Sequence, residues 1–539
     1  MKEKWTAKHT EYLFLFLILC ASLFLFLSNL GNQYLWQDEA QTALISKTIL
    51  TNYLPLGYDG TNYFSQDSGA EYGRNYIWKW HPWFQFYLLA AFFKFFGVST
   101  FIGRLPFALF GIATVFLTYY LCKNLWNDKR TAALAAILLL LSVPFLLLSR
   151  QCRYFAPAAF FSLLGLYAYL GIIAGKKGST VLLLVSAALL FHTQFIFCAT
   201  LLTSILLHAA LFHRNRILRL LVLSLIIILI SLPWRIWVYN VDYTKVHPHI
   251  FTFKAFMYVL RFYLWNIAKN VFSPLLLLVP AVALLFAGRA GAGKLFSKLA
   301  LVWKNLLLLV FFFIVNLFAL SLVSYGAFFR NPVILIPVFA SITAFLLMFA
   351  VDAKKIVVVV ITALLVGTSP ICDYLYDITH DYDGPNEGIV KYLGEMALLV
   401  GTSPIFDYLY DITHDYDGPI EGIVSYLSEN ADKDDIVAIT YGDMPLKFYT
   451  QLRIVGGLTG EDLSPARQAK WVIMRKYIIC KRDASVKKYL LHNLSPRNYK
   501  RIIINYPDIP FENREDLILP HHFRTVTDED RVVIFKKIR

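Results

Sequence analysis

The sequence predicts an all-α polytopic membrane protein of about eleven transmembrane helices, followed by a small C-terminal α/β domain. Three observations point there. Of 539 residues, 58% are hydrophobic and only 16% charged, and the mean hydropathy is +0.55, too apolar for one soluble domain of that length. The apolar residues fall in runs of about 20, the length that crosses a bilayer as a helix. The Lys and Arg residues gather in short connectors between those runs, so the formal charge of +15 reads as loop bias and not as a nucleic-acid footprint.

Taken in order, MKEKWTAKH precedes an apolar run at 11–30 that has the look of a signal peptide. The run is long and no small-residue cleavage site follows, so it is read as an uncleaved first helix. Further spans are expected near 101–121, 131–149, 155–174, 179–192, 194–212, 218–237, 273–288, 305–323, 332–351 and 355–371. The connectors after even-numbered helices are KNLWNDKR, GKK, HRNRILR, Arg289 to Lys304 and DAKK. All are short and basic, which places them, with the N-terminus, in the cytoplasm. The opposite side receives the Asp38-Glu39 loop, the RQCRYF turn at 150–155, the His192 turn, residues 238–272, Arg330 and everything after 371. The protein is thus expected in the plasma (inner) membrane, with an extracytoplasmic C-terminal domain.

The domain expectation is a membrane domain at 1–371 with a long first outer loop at 31–100, a linker at 372–430 and an α/β domain at 431–539. Counting WKWHPWFQFYLLAAFFKFFG in that loop as a span would put KNLWNDKR outside. It is therefore read as a juxtamembrane helix, with Trp78, Trp80 and Trp83 at interfacial depth. The linker is a tandem repeat: residues 363–396 recur as 397–430, with 29 of 34 positions identical. A solenoid needs at least three copies, so a tolerated local duplication is the plain reading, against paired acidic sites such as His380 to Asp383. After 430 the pieces DIVAIT, DMPLKFYTQL, WVIMRKYII, YKRIIINY and RVVIFKKI alternate strand and helix character without a phosphate-binding glycine fingerprint. That domain is given a structural or acceptor-recruiting role.

Two patterns are set aside. Six scattered cysteines without CxxC spacing indicate neither a disulfide framework nor a zinc site. GRAGAGK at 288–294 fits G-x-x-x-x-G-K, but Leu295 replaces the Ser or Thr and a membrane helix precedes it, so it is read as a flexible cytoplasmic loop.

Candidate chemistry begins with Asp38 and Glu39 in LWQDEAQTAL. Acidic residues there can simply cap a helix start. Alternatively, Asp38 acts as general base towards an acceptor hydroxyl while Glu39 orients it or helps to hold a cation. An anionic leaving group would need cations, and the outer face offers Arg74, Lys79, Arg150, Arg153, Arg235, Arg261 and Arg330. Arg150 and Arg153 stand three apart where two apolar helices meet outside, a costly place unless an anion is bound, and for each alone snorkelling to lipid headgroups is an equal explanation. His81 and His192 lie close to the same surface, as phosphate donors, metal ligands or ordinary helix-end residues; His247 and His249 lack a third ligand nearby.

In order along the chain, WQDEAQTALISKTIL, the KWHPWFQF segment and its following helix, SRQCRYFAPAAFF and LLFHTQF resemble the membrane core of the GT-C glycosyltransferases. The nearest subgroup is the prokaryotic relatives of the dolichyl-phosphate-mannose protein mannosyltransferases and the lipid A aminoarabinose transferase. The resemblance covers residues 11 to about 370. It implies a hexosyl- or pentosyltransferase that moves a sugar from a polyprenyl-phosphate donor to a lipid, polysaccharide or protein acceptor outside the cytoplasm, with inversion. Carried over by position, Asp38 is the catalytic carboxylate, Glu39 its partner, His81 a donor-phosphate residue, and Arg153 with Tyr154 the Arg-aromatic pair beyond the third helix. Trp83 and Gln151 depart from the pattern, and Gln151 removes one ligand of a possible divalent cation. A transporter or flippase for a lipid-linked saccharide is the competing class, but it would favour repeats between halves and charges at mid-membrane.

Overall fold

The computed structural model describes residues 2–67, 69–73, 75–239, 252–272, 274–278, 288–323, 327–353, 408–409, 412–415, 418–458, 462–476, 481–508 and 531–538. The membrane part runs α1 (Lys2–Leu27), α2 (Gln37–Asn52), α3 (Phe84–Phe96), α4 (Thr100–Trp126), α5 (Lys129–Leu140), α6 (Val143–Ser149), α7 (Phe155–Ile173), α8 (Ser179–Thr193), α9 (Phe195–Phe212), α10 (Arg214–Tyr239), α11 (Phe253–Asn270), α12 (Gly288–Val323) and α13 (Ile336–Ala353). Among the described residues seven helices are long and apolar enough to cross a bilayer, or eight if the bent pair α5 and α6 crosses as one span. The protein is a multi-pass membrane protein.

That count differs from eleven for identifiable reasons. The expected span at 179–192 is the 15-residue helix α8. Of the span expected at 273–288 only a 3-10 turn at Pro274–Leu278 is described before the start of α12, and the span expected at 355–371 lies outside the described residues. The stretch from Arg289 to Lys304 is not a loop. It is helical from Gly288, and α12 runs for 36 residues. Ala, Leu and Lys favour helix there, so GRAGAGK lies on helical backbone. The span expected at 131–149 breaks by 64° between α5 and α6. Pro144 sits in the first turn of α6, a position that suits a ring without an N–H but cannot continue the preceding hydrogen-bond ladder. The bend steers the following 150–153 turn beneath α2.

The C-terminal part adds α14 (Pro419–Asn430), β1 (Ile436–Ile439), α15 (Asp443–Tyr449), β2 (Arg453–Gly456), β3 (Trp471–Ile473), α16 (Lys481–Asn493), β4 (Tyr499–Pro507) and β5 (Arg531–Lys537). The strands form one sheet in the order β2-β1-β3-β5-β4, parallel at β1 to β2 and β1 to β3 and antiparallel beyond. One face packs on α14 through Ile420, Ile423, Val424 and Leu427, and the other on α16 through Val486 and Leu490. Gly422 allows the first contact, because a Cβ there would stand 2.3 Å from the Tyr506 ring.

The sheet is fastened to the first outer loop. Tyr34 stacks on Tyr449 at 3.8 Å, and the Tyr449 hydroxyl receives a hydrogen bond from Leu35 N at 2.9 Å. The Asn62 side chain donates to Leu452 O at 3.0 Å and accepts from Ile454 N at 2.8 Å. Asp443 and Lys447, both fully buried, pair at 2.9 Å, and Asp443 also accepts from the Gln37 side chain at 2.7 Å. The residue before Asp38 is thereby held by the C-terminal part.

The second repeat copy supplies a further set of contacts. The Tyr408 hydroxyl donates to Leu25 O at 2.6 Å, Asn32 donates to His414 O at 3.2 Å, and Glu421 accepts from Tyr34 N at 2.7 Å. The copy at 363–396 lies outside the described residues, and the acidic cluster proposed for it goes with it. Its sequence puts Asn386 where the second copy has the buried Ile420, and an amide in that core would be costly. Because one copy makes these contacts, deleting residues 363–396 is expected to change unfolding free energy by less than about 1 kcal/mol, since connector length is a weak entropic term. Thermal unfolding of the deletion in nanodiscs checks this; failure to fold would show that the first copy is structurally required.

Candidate active site

The site starts at the first turn of α2, which contains both Asp38 and Glu39. Glu39 faces inward and is fully buried. Its oxygens accept from Arg104 Nε at 2.9 Å and Nη2 at 2.7 Å, from Cys152 N at 2.7 Å, and from Trp36 N at 3.3 Å. The last bond is the reciprocal half of a capping box. Arg104 spends its remaining donors on Leu30 O, Gln33 O and Tyr34 O. Glu39 is therefore a fastening between α4, the start of α2 and the 150–153 turn, so the capping explanation holds for it.

Asp38 points the other way, into a cluster of cations. Its Oδ2 lies 3.4 Å from Arg153 Nη2 and 3.4 Å from Arg330 Nη2, and its Oδ1 accepts from Gln66 Nε2 at 3.1 Å. Arg153 is fixed from behind by Asp38 O and Thr42 Oγ1. Arg330, just before the 3-10 turn at Asn331–Leu335, lies over the Phe328 and Trp36 rings at 4.6 and 5.6 Å. Burial alone would raise the Asp38 pKa. Arg153 and then Arg330 and Gln66 outweigh it and hold the carboxyl below its ordinary range.

His81 completes the cluster, with its ring 6.2 Å from that of Tyr154. Burial, helped by Arg153, pushes it down to about 3, so it is a neutral imidazole at physiological pH. Its Nδ1, the Nε of Arg153 and the Oε1 of Gln151 are buried without a hydrogen-bond partner, which is uncommon and costly unless something else binds there.

The other candidates are engaged elsewhere. Arg150 donates to Leu25 O, Ser28 O and the Tyr408 hydroxyl, tying down the end of α1. Lys79 lies over the Trp237 ring at 4.6 Å, His192 packs on Phe191 and Trp234, and Arg235 lies over Phe195. Arg74, His247 and His249 are outside the described residues. Arg104, Gln66 and the buried Glu71 behind Gln66 went unremarked in the sequence. Only Arg104 carried a signal, as a charge inside an apolar run.

A divalent cation does not fit this arrangement. Asp38, Arg153 and Arg330 already sum to one positive charge, and a dication would raise it to three. Among the described residues no three His, Cys, Asp or Glu side chains converge, and Gln151 stands where the resemblance would put a carboxylate. The same excess suits a singly charged anion.

Residues 80–237 match the family described as dolichyl-phosphate-mannose-protein mannosyltransferase. The chain is similar to the structure of ArnT from Cupriavidus metallidurans bound to undecaprenyl phosphate, at 15% identity and a TM-score of 0.58 over 97% of each chain. It matches the apo state of that protein equally, over 98% of each. The apo oligosaccharyltransferase of Archaeoglobus fulgidus gives 12% identity and a TM-score of 0.52, over 87% of this chain and 70% of that one. An uncharacterized protein of Aquifex aeolicus is 28% identical over 164 residues, a match spanning 30% of this chain and 30% of that relative. These likenesses establish a GT-C fold.

Removing Arg104 would leave Glu39 buried and unpaired, which typically costs 3–5 kcal/mol. Arg104→Leu is expected to lower the unfolding temperature in nanodiscs markedly, whereas Arg330→Met, at the half-buried edge, should not. Equal melting of the two variants would contradict the structural role given to Arg104.

Proposed function

We propose that this chain, with its GT-C glycosyltransferase fold, moves a hexosyl or pentosyl unit from a polyprenyl-phosphate carrier to a hydroxyl acceptor at the extracytoplasmic face, inverting the anomeric carbon, with Asp38 as general base. The observation that carries this reading is the pair of guanidiniums sharing Asp38 Oδ2 beside the unpartnered Nε of Arg153 and Nδ1 of His81. A sugar phosphodiester bears one negative charge, matching the excess on Asp38, Arg153 and Arg330. Arginine forks and imidazole N–H groups are its natural donors. The ArnT of Cupriavidus metallidurans, whose structure contains undecaprenyl phosphate, supports the carrier class.

In the reaction the acceptor oxygen bonds to the anomeric carbon as the bond from that carbon to the phosphate oxygen breaks. The electron pair leaves with the polyprenyl phosphate, whose growing charge Arg153 and Arg330 stabilise. The hydroxyl proton passes to Asp38. Asp38 in the resting cluster is a poor base, because both arginines stabilise its ionised form. A donor phosphate that draws those arginines to its own oxygens raises the basicity of Asp38 when the substrate is in place. The acceptor belongs to the class of lipid, polysaccharide or protein hydroxyls.

The test uses the full chain and Asp38→Asn in nanodiscs with radiolabelled polyprenyl-phosphate sugars and a membrane-lipid extract. Asp38→Asn is expected to lose sugar transfer or hydrolysis by at least about 100-fold while binding the carrier. Arg153→Met and Arg330→Met are expected to weaken carrier binding. If the parent consumes no carrier but moves it between leaflets, the transferase reading fails and the transport alternative replaces it.

A further inference from the structure

Glu71 is a buried carboxylate of the first outer loop that the proposed reaction does not use. It gathers donors from two directions. From its own loop come Gln66 N at 2.9 and 3.0 Å to the two oxygens, Asp67 N at 3.0 Å, and the Ser65 hydroxyl. From α2 comes Gln41 Nε2 at 3.2 Å, which also donates to Phe64 O at 2.8 Å. Gln41 lies on the helix turn that follows Asp38. The residue whose backbone is gripped hardest, Gln66, is the one whose side chain donates to Asp38 Oδ1.

We infer that Glu71 is a positioning residue for Asp38, acting through Gln66: it ties the 65–71 loop to α2 so that the Gln66 amide fixes the orientation of the base. This rests on the reading of Asp38 given above. A carboxylate held by one amide and two guanidiniums has its free lone pairs aimed in one direction, and small errors in such aim are costly in rate. The charged group acting on the carboxyl is Asp67 in the same loop; Lys79 donates its backbone N–H to Glu71 O at 2.8 Å, while its ammonium lies over the Trp237 ring.

Burial and the Asp67 charge push the Glu71 carboxyl up from 4.5 to about 7. Four donors favour the ionised form, whose oxygens are the better acceptors, so the grip on Gln66 tightens as pH rises through about 7. Its effect on stability has the opposite sign. A carboxyl whose pKa is raised on folding favours the fold fully below its unfolded value of 4.5, and that contribution is lost as pH rises to about 7. Ionisation therefore weakens the fold while it strengthens the hold on the 65–71 loop.

Two measurements on the full chain in nanodiscs test this. Hydrogen exchange at the Gln66 and Asp67 amides, corrected for intrinsic rate, is expected to slow as pH rises through about 7, and to lack that transition in Glu71→Gln. Kinetically, Glu71→Gln and Gln66→Leu are each expected to lower kcat on the order of 10-fold with the KM for carrier unchanged, and the double variant should be no worse than the poorer single. A double variant that loses the product of the two effects, unchanged kcat in Glu71→Gln, or exchange without the pH transition overturns the inference. If Glu71→Gln does not fold, the wild-type exchange profile and the Gln66→Leu kinetics decide by the same criteria. Carrier left unconsumed by every protein counts against the transferase reading, and the exchange transition then still decides the role of Glu71 in the loop.

Discussion

The buried Glu39–Arg104 pair is the constraint on which the site depends. Charges removed from water must be fully satisfied, and here nearly every lone pair and donor is spent within one small volume. The geometric result is that three chain segments from different parts of the sequence meet: the stretch from the end of α1 to the start of α2, α4, and the turn after α6. Arg153 is one residue beyond the amide that Glu39 holds, and Asp38 one residue before Glu39. The adjacency that looks redundant in DEAQ is a division of contacts, in which one carboxylate builds the frame and its neighbour faces the arginine cluster to which the proposed reaction assigns the chemistry.

A second frame comes from the C-terminal part. Its α15 reaches the residue before Asp38 through Asp443 and Gln37, and Tyr449 reaches the segment before α2. The role expected for this part from sequence is structural support or acceptor recruitment, and the contacts give it a direct share in holding the start of α2.

Much of this was legible in the sequence, and for definite reasons. Long apolar runs announce helices because the bilayer permits few alternatives, so α4, α7, α9, α10 and α13 stand close to where expected. Asp38, His81, Arg153 and Arg330 are among a wider set of polar residues at the edges of apolar runs, with Asp38, His81 and Arg153 picked out by the family resemblance, and the structure brings these four together. What failed was whatever depends on the direction a side chain takes. Arg150 and Arg153 stand three apart, yet the bend before Pro144 and the turn after it send one to α1 and the other to Asp38. Gln66 and Glu71 are ordinary polar residues in a polar loop, and only the fold makes them neighbours of the base. The 36-residue helix α12 was masked by its basic start, which the eye reads as a loop.

In the proposed reaction, the two arginines that share Asp38 set the order of events in the cycle. Proton occupancy of Asp38 and anion occupancy of the arginines are thermodynamically coupled, and coupling of that kind is reciprocal. A base that has just accepted a proton no longer competes for the guanidiniums, so the spent carrier phosphate is held most tightly immediately after transfer. Loss of that proton returns the arginines to the carboxylate and weakens their hold on the departing lipid. Under that proposal, turnover is a relay of one negative charge between protein and lipid, with the bulk proton concentration setting how readily the product is let go.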